Sequence, residues 1–334
     1  MREIQLSHGG GGVEMNQLIN QLFFRHFGNE ILLRGEDAAL LPVSGPVAFT
    51  TDSFTVSPLF FAGGDIGKLA IAGTVNDLAM MGAKPEYLSA SFIIEEGFPY
   101  ADLARIVESM ALELTKSGAR IVCGDTKVVP KGAADKIFIN TSGVGSFPRP
   151  EQSRGISVRN IQAGDAILVS RDIGSHGACI LMARDALQLG SSLQSDCTTL
   201  WPQVEALLAA DIRPHALRDA TRGGLAAVLN EWSSASGVAI ELEESAIPVC
   251  DPVRGLCELY GFEPHDLANE GTMVLALPAA QADAALALLR TFNPSASQIG
   301  QVRESAQHKV ILNNPWGSRR YLELPQGELL PRIC

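Results

Sequence analysis

Segments typical of strands and segments typical of helices follow one another along this chain without strict alternation, and this mixture limits the folds available to it. In the first half, "VAFTTDSFTV" and "KIFINTSGVGSF" have the composition of strands, and "YADLARIVESMALELTKSG" has apolar residues at helical spacing. In the second half, "DAILVS" and "MVLALP" are strand-like, whereas "WPQVEALLAAD" is helical. A doubly wound sheet needs regular βαβ units, so the pattern predicts an α+β fold in which helices cover sheets.

The segment 148–155, "PRPEQSRG", has the proline, arginine and glycine content of a linker. A chain of 334 residues is long for one domain and comfortable for two. We therefore predict two α/β-type domains: a sheet-and-helix domain over 1–150 and an α+β domain over 151–325. A flexible C-terminal tail, 326–334, would follow them.

Charge and hydropathy exclude two classes of partner. The net charge of −11 argues against sequence-independent binding of nucleic acid, which requires clustered Lys and Arg. Apolar runs are short and broken by Gly, Asp or Lys, so none reaches the roughly 20 residues of a membrane span. The start, "MREIQLSHGG", lacks the apolar region of a signal peptide. We expect a cytoplasmic protein that binds neither nucleic acid nor membranes.

The cysteines raise a question about the end of the chain. The sequence has six cysteines and no CxxC pair, so disulfide and zinc sites are less favoured than ordinary burial. Cys334 is the exception because it is the last residue, where chain termini fray. We expect its thiol to be exposed, and a thiol retained at such a position needs a function.

Aspartates next to small residues recur at the predicted ends of helices and strands. Neither GxxxxGK[ST] nor a strand-flanked GxGxxG is present. Magnesium is usually held by a few carboxylates together with substrate phosphates, and small neighbours let both approach the backbone. Helix caps and turns explain single aspartates equally well, although Asp77, inside a helical stretch beside Asn76, fits that explanation least. The motifs are "GEDAA" (Asp37), "TTDSF" (Asp52), "VNDLAMMGA" (Asp77), "CGDTK" (Asp125) and "RDATRGG" (Asp219).

These motifs, in this order, carry a resemblance to a known family. The chain resembles the ATP-dependent superfamily that includes aminoimidazole ribonucleotide synthetase, selenophosphate synthetase and thiamine monophosphate kinase. Within it, the chain is most similar to the HypE family of hydrogenase maturation factors, which make the cyanide ligands of [NiFe]-hydrogenase. The likeness runs from "LSHGGGG" through "GDTKVV", "GSHG" and "ANEG" to "PRIC", and the terminal Cys singles out this family.

The resemblance implies ATP and Mg²⁺ as cofactors and assigns residues to them. Lys68, Asn76 and Asp125 would contact the nucleotide. On an unbroken helix Lys68 and Asp77 lie on opposite faces, since two and a half turns separate them. Either the helix breaks near Gly73 or Lys68 serves a site formed with a second subunit, because the family forms homodimers through the sheet of its N-terminal domain. The expected ligands of magnesium bridging the ATP phosphates are Asp37, Asp52, Asp77 and Asp219.

The same resemblance implies a reaction on the terminal thiol. The carbamoyltransferase HypF would load a carbamoyl group onto Cys334, and ATP-dependent dehydration would convert it to an enzyme thiocyanate. An iron acceptor complex of HypC and HypD would then receive the cyanide. Lys127 and Glu270 are the candidate cation and base, with the proton transfer between them left open. A thiol that visits three sites explains a mobile terminal arm.

Two other functions are compatible with the sequence. One is a small-molecule kinase or ligase of the same superfamily, although selenide chemistry is weakened because the first sixty residues contain no cysteine. The other is a nucleotide-regulated scaffold that presents its tail without turnover. We assign no catalytic role to His176 in "GSHG", since a helix cap explains it.

Overall fold

The computed structural model describes residues 3–10, 12–36, 38–148, 155–185, 192–325, 327 and 330–334. Its first sheet has the strand order β1-β6-β4-β5, with β4 and β5 parallel and the other pairs antiparallel. A short hairpin of β2 and β3 lies between β1 and the first long helix. The strands of this half are β1 (Val47–Phe54), β2 (Phe60–Phe61), β3 (Gly64–Asp65), β4 (Lys84–Glu95), β5 (Arg120–Val129) and β6 (Ile137–Ser146).

The second sheet has the strand order β13-β12-β9-β11-β7-β10-β8. Its pairs are antiparallel except β9 with β12, so antiparallel pairing prevails in both halves and the predicted α+β class is confirmed. The strands are β7 (Asp165–Val169), β8 (Ala216–Asp219), β9 (Ala239–Glu243), β10 (Met273–Pro278), β11 (Ser297–Arg303), β12 (Val310–Asn313) and β13 (Arg319–Tyr321).

Helices cover these sheets, as the apolar spacing predicts. The N-terminal helical stretch is continuous in space but passes through a π-helical turn at Ile19–Phe23. The α-helices are α1 (Val13–Leu18), α2 (Phe24–Phe27), α3 (Ile66–Met80), α4 (Tyr100–Ser117), α5 (Ser175–Arg184), α6 (Trp201–Ala209), α7 (Gly224–Ser236), α8 (Asp251–Tyr260) and α9 (Ala282–Phe292). Within the part of the chain that the structure describes, no helix is long and apolar enough to cross a membrane.

Helix α3 lies at the centre of the molecule. Asp65 caps it by accepting hydrogen bonds from the backbone amides of Gly67 and Lys68, at 2.7 and 3.0 Å. The helix is buried on nearly all sides because it packs against β1 and β6 of the first sheet and against β8 and α6 of the second half. Its C-terminal half therefore brings residues of both halves of the chain into one place.

Strand β5 is longer than its apolar segment "RIVCG". The strand continues through Asp125 and Lys127 to Val129, because β4 offers a parallel partner over its whole length, up to the pair Glu95 and Val129. Asp125 and Lys127 lie two residues apart in the strand, so their side chains share one face.

The domain boundaries stay predictions. Most of the predicted linker, residues 149–154, lies outside the described residues, as do 326, 328 and 329 at the start of the predicted tail.

Candidate active site

An acidic cleft of about 710 Å³ opens between the two halves of the chain. Asp52 of β1, Asp77 of α3 and Asp219 at the end of β8 line it together. The hydroxyl of Thr50 donates a hydrogen bond of 2.6 Å to Asp77 Oδ2. The contact of α3 with β1 on one side and β8 on the other thus unites three aspartates that are far apart in sequence.

The crowding of these carboxylates disfavours their charged forms. Burial, the negative charge of Asp77 and a hydrogen bond with it raise the pKa of Asp52 to about 6. Burial and the charges of Asp77 and Asp52 raise the pKa of Asp219 to about 7. Such a cluster gains from a cation that neutralises it. Among the described residues, no three His, Cys, Asp or Glu side chains converge closely enough to hold a metal ion alone.

Asp125, a predicted nucleotide contact, lies at the other edge of the first sheet. Asp37 is outside the described residues, but its neighbours Gly35 and Glu36 line a second cavity of about 670 Å³ together with Asp125. The register places Ser53, Asn140, Ser91 and Asp125 side by side across β1, β6, β4 and β5. Three strand spacings, about 14 Å, therefore separate Asp125 from the strand that carries Asp52.

Lys127 lies on the same edge strand as Asp125. Its Nζ is 2.9 Å from Asp125 Oδ2, and both side chains are more than half exposed. The hydrogen bond from Lys127 and its charge hold the pKa of Asp125 below its ordinary value. Within one chain, these two residues form a pair that is separate from the acidic cleft.

Lys68 and Asn76 both bind backbone groups within the single chain. Helix α3 runs without interruption through Gly73, so of the two alternatives for Lys68 the helix break is wrong, and a site formed with a second subunit stays a prediction. Lys68 Nζ donates to the carbonyl oxygen of Gly63 at 2.7 Å, and its Cα lies about 13 Å along the axis from that of Asp77. Asn76 is 1% exposed, and its amide atoms bind the backbone at Thr198, Leu200 and Glu270, which does not support a nucleotide contact.

The last residues of the tail, 330–334, are docked on the rest of the chain, contrary to the expected exposed terminus. The carbonyl oxygen of Cys334 accepts hydrogen bonds from the amide and hydroxyl of Thr55, at 3.0 and 3.2 Å. The amide of Ser57 donates to the carbonyl oxygen of Arg332. Ile333 is buried in the hydrophobic core. The tail docks because its backbone pairs with the segment after β1 and Ile333 leaves water.

Glu270 is buried in the loop before β10. Among the described residues, its Oε1 atom has no hydrogen-bond partner. Burial and the charges of Asp219, Asp196 and Asp52 raise the pKa of Glu270 well above its ordinary value. Such surroundings disfavour the charged carboxylate and make it a stronger base, which is the property required of a group that takes a proton during catalysis.

Asp196 fixes the loop that carries Glu270. Its two carboxylate oxygens accept from the backbone amides of Glu270 and Gly271, both at 3.0 Å, and from the hydroxyl of Thr272 at 2.8 Å. A Cβ atom on Gly271 would lie 1.9 Å from the carbonyl oxygen of Asp196, so only glycine fits there. Sequence analysis missed Asp196, which lies in the segment "QSDCTT" without a recognisable motif.

The docked thiol of Cys334 lies within the electrostatic influence of these groups. Burial and the charges of Glu270, Asp52 and Asp219 raise its pKa to about 12, and the positive charge of Arg222 opposes this rise. The structure thus brings together Cys334, Glu270 and the acidic cleft. Arg222, which also lines the cleft, was missed although it stands inside "RDATRGG".

Comparisons with known proteins show the family of this chain. Family models of the N-terminal and C-terminal domains of AIR synthase related proteins match residues 35–147 and 162–313. The carbamoyl dehydratase HypE of Cupriavidus necator is 48% identical, over 99% of this chain and 95% of that protein. A crystal structure of the hydrogenase maturation protein HypE in complex with ATP has a TM-score of 0.95, with 44% identity over 99% of both chains.

A crystal structure of a HypE-HypF complex also matches, with a TM-score of 0.79 and 45% identity over 92% of this chain and 99% of that chain. Identity at this level over nearly the whole length of both proteins shows that they belong to one family. The chain therefore belongs to the HypE family of carbamoyl dehydratases, within the AIR synthase related proteins.

Proposed function

We propose that this protein uses ATP to dehydrate a carbamoyl group carried on the thiol of its own Cys334, giving an enzyme thiocyanate. The observation that carries the proposal is the docked tail, which places Cys334 under the influence of the buried Glu270 and the acidic cleft. A tail used only to recruit a partner protein has no need to place its last residue within the electrostatic influence of Glu270, Asp52 and Asp219.

The protonation state of the docked thiol fits this reaction. A pKa of about 12 leaves almost no thiolate at neutral pH, so Cys334 is a poor nucleophile while docked. The dehydration needs no thiolate, because the sulfur already carries the carbamoyl group. Loading of Cys334 would therefore occur with the tail undocked, and dehydration with it docked.

The reaction balances in two steps. The carbamoyl oxygen attacks the γ-phosphorus of ATP, ADP leaves, and the nitrogen loses one proton as the carbon-nitrogen double bond forms. The carbon-oxygen bond then breaks, phosphate leaves with the oxygen, and loss of the second nitrogen proton gives S–C≡N. Glu270, whose Oε1 has no partner among the described residues, is suited to take a proton from this nitrogen.

Magnesium fits the acidic cleft. Burial and mutual charge raise the pKa values of Asp52 and Asp219, and a bound cation would favour their charged forms. Asp52, Asp77 and Asp219, which line one cleft, would hold Mg²⁺ together with phosphate oxygens. When bound, the metal would neutralise phosphate charge.

A homodimer would complete the site. In one chain, Asp125 and Lys127 stand about 14 Å across the sheet from the strand of Asp52. The sheet face between them carries the exposed or half-exposed polar side chains of Ser53, Asn140 and Ser91. A second copy packed against this face would bring the Asp125 edge of one subunit to the cleft of the other, which would also give Asp37 and Lys127 access to the nucleotide.

The partners follow from the chemistry and the relatives. We propose HypF as the carbamoyl donor, supported by the similarity to a chain in a HypE-HypF complex. A HypC and HypD complex would accept the cyanide on iron. These exchanges would take place in the cytoplasm.

The test is intact-mass analysis with mapping of the last residues after incubation with the carbamoyl donor system and MgATP. We expect an adduct on Cys334 that loses one water only when ATP is present. Cys334→Ser should carry no thiocyanate, and Cys123→Ser, which changes an exposed cysteine of β5, should behave like the unmodified protein. An unmodified Cys334, with transfer proven on a control acceptor, would move the assignment to a small-molecule kinase.

A further inference from the structure

One helix of the second half, α5, contacts the docked tail at two places. At its C-terminal end, the Arg184 guanidinium donates from Nη2 to the carbonyl oxygens of Pro331 and Arg332, at 2.5 and 2.7 Å. Its Nε donates to the carbonyl oxygen of Ser57 at 2.7 Å. Arg184 thus joins the tail to the strand segment with which it pairs, and charged donors make the stronger hydrogen bonds of this kind.

Near the N-terminal end of α5, His176 reaches the residue before the thiol. Its Nε2 atom lies 2.8 Å from the carbonyl oxygen of Ile333. A carbonyl oxygen only accepts, so Nε2 carries the hydrogen, and Nδ1 accepts from the hydroxyl of Ser195 at 2.8 Å. The same Ser195 Oγ accepts from the amide of Cys197 at 3.0 Å. These three hydrogen bonds favour the His176 tautomer with its hydrogen on Nε2, which is the tautomer that binds the tail.

With the tail docked, His176 is shielded from water. Its side chain is fully buried, and the ring packs edge-on against Phe61 with the centroids 5.4 Å apart. If the tail left, the Nε2 hydrogen would lose the carbonyl oxygen of Ile333 as its acceptor. Burial also lowers the pKa of His176, which keeps the ring neutral.

We propose that His176 and Arg184 are positioning residues that hold the docked tail and thereby set the balance between dehydration of Cys334 and its loading. This inference rests on the proposed function, because the two steps need the tail in different positions. Strengthening the contacts favours dehydration, and weakening them favours loading. Neither residue touches the reacting atoms, since both bind backbone carbonyls.

The first test requires no turnover. Cys334 alkylation by iodoacetamide is measured by peptide mapping relative to the exposed Cys123. Arg184→Met should raise this ratio about tenfold or more, the factor expected from losing hydrogen bonds to a charged donor. Arg290→Met is the matched control, because Arg290 also donates to a carbonyl oxygen, that of Ala296. An unchanged ratio in Arg184→Met overturns the proposal.

Two further measurements separate release of the tail from general unfolding. The buried Cys197 and Cys257 should stay unreactive in Arg184→Met, and their alkylation together with Cys334 would contradict a local release. His176→Leu should also raise the reactivity of Cys334. His176→Gln keeps an N–H donor and should restore part of the protection; equal reactivity of the two variants would refute the role of the Nε2 hydrogen bond.

The second test measures the two steps separately with the carbamoyl donor. In Arg184→Met, loading of Cys334 should become faster and single-turnover dehydration slower, each by severalfold. A merely structural role predicts that both steps slow, and this outcome would refute the proposal. If the unmodified protein accepts no carbamoyl group, the proposed function fails, whereas the alkylation measurements still decide whether Arg184 and His176 hold the tail.

Discussion

The replacement Asp219→Asn should change how the stability of the metal-free protein depends on pH. The pKa of Asp219 is about 7 in the folded protein and 3.8 in its ordinary state, because burial and the nearby charges of Asp77 and Asp52 disfavour ionisation. Between these values the folded state binds more protons than the unfolded state, so unfolding becomes easier as pH rises. The amide of Asp219→Asn does not ionise, so the free energy of unfolding of the variant should lack this decrease with rising pH.

The size of the effect follows from the two pKa values. Each unit corresponds to 1.36 kcal/mol, so Asp219 lowers the free energy of unfolding by roughly 4 kcal/mol at pH 8 and by less than 2 kcal/mol at pH 5. The advantage of Asp219→Asn over the unmodified protein should therefore grow by about 3 kcal/mol from pH 5 to pH 8. For a chain of 334 residues, this corresponds to about 4 °C in melting temperature.

Calorimetry with a chelator and without nucleotide measures this difference. The control is Asp283→Asn, which changes an exposed aspartate of α9 and should leave the pH profile unchanged. MgATP should raise the melting temperature of the unmodified protein at pH 8 and raise that of Asp219→Asn much less, because a proposed ligand is lost. If the two proteins show the same pH dependence without metal, the reasoning about the acidic cleft is refuted.

Three more outcomes are expected. Glu270→Gln should bind ATP normally and lose dehydration of loaded Cys334 by at least about 100-fold in single-turnover mass analysis; unchanged dehydration would exclude Glu270 as the base. Asp196→Asn should slow dehydration at least about tenfold while leaving loading intact, because the loop of Glu270 loses charged acceptors, and an unaffected rate in the same assay would contradict this. Alkylation of Cys334 should still increase with pH above about pH 10.5, where an ordinary thiol is almost fully ionised, and a plateau reached by that pH would contradict its raised pKa of about 12.

Much of the fold could be predicted from local patterns. Apolar spacing predicted α4, and the mixture of strands and helices predicted the α+β class, because these signals act within a few residues. The length of β5 could not be predicted this way. Its extension past Asp125 depends on the parallel partner β4, which lies about 30 residues earlier in the chain.

The candidate site likewise contains residues that sequence motifs identified and residues that they did not. Motifs of Asp with small neighbours identified Asp52, Asp77 and Asp219, and the structure brings these three together in one cleft. The same kind of motif also identified Asp125, which lies on the opposite edge of the sheet in the single chain. Asp196, His176 and Arg184 act through backbone groups of distant segments, and no sequence pattern marks such contacts.

The sequence by itself determined the class of fold, the family resemblance and the terminal position of the reactive thiol, because these depend on residue types and their spacing. Tertiary structure decided that Cys334 is docked rather than exposed, and that its neighbours are Glu270 and a crowded set of carboxylates. The physical reason is that burial and charge proximity are sums over all segments packed around a group. A terminal cysteine is reactive or protected according to those surroundings, which the last residues of a chain do not contain.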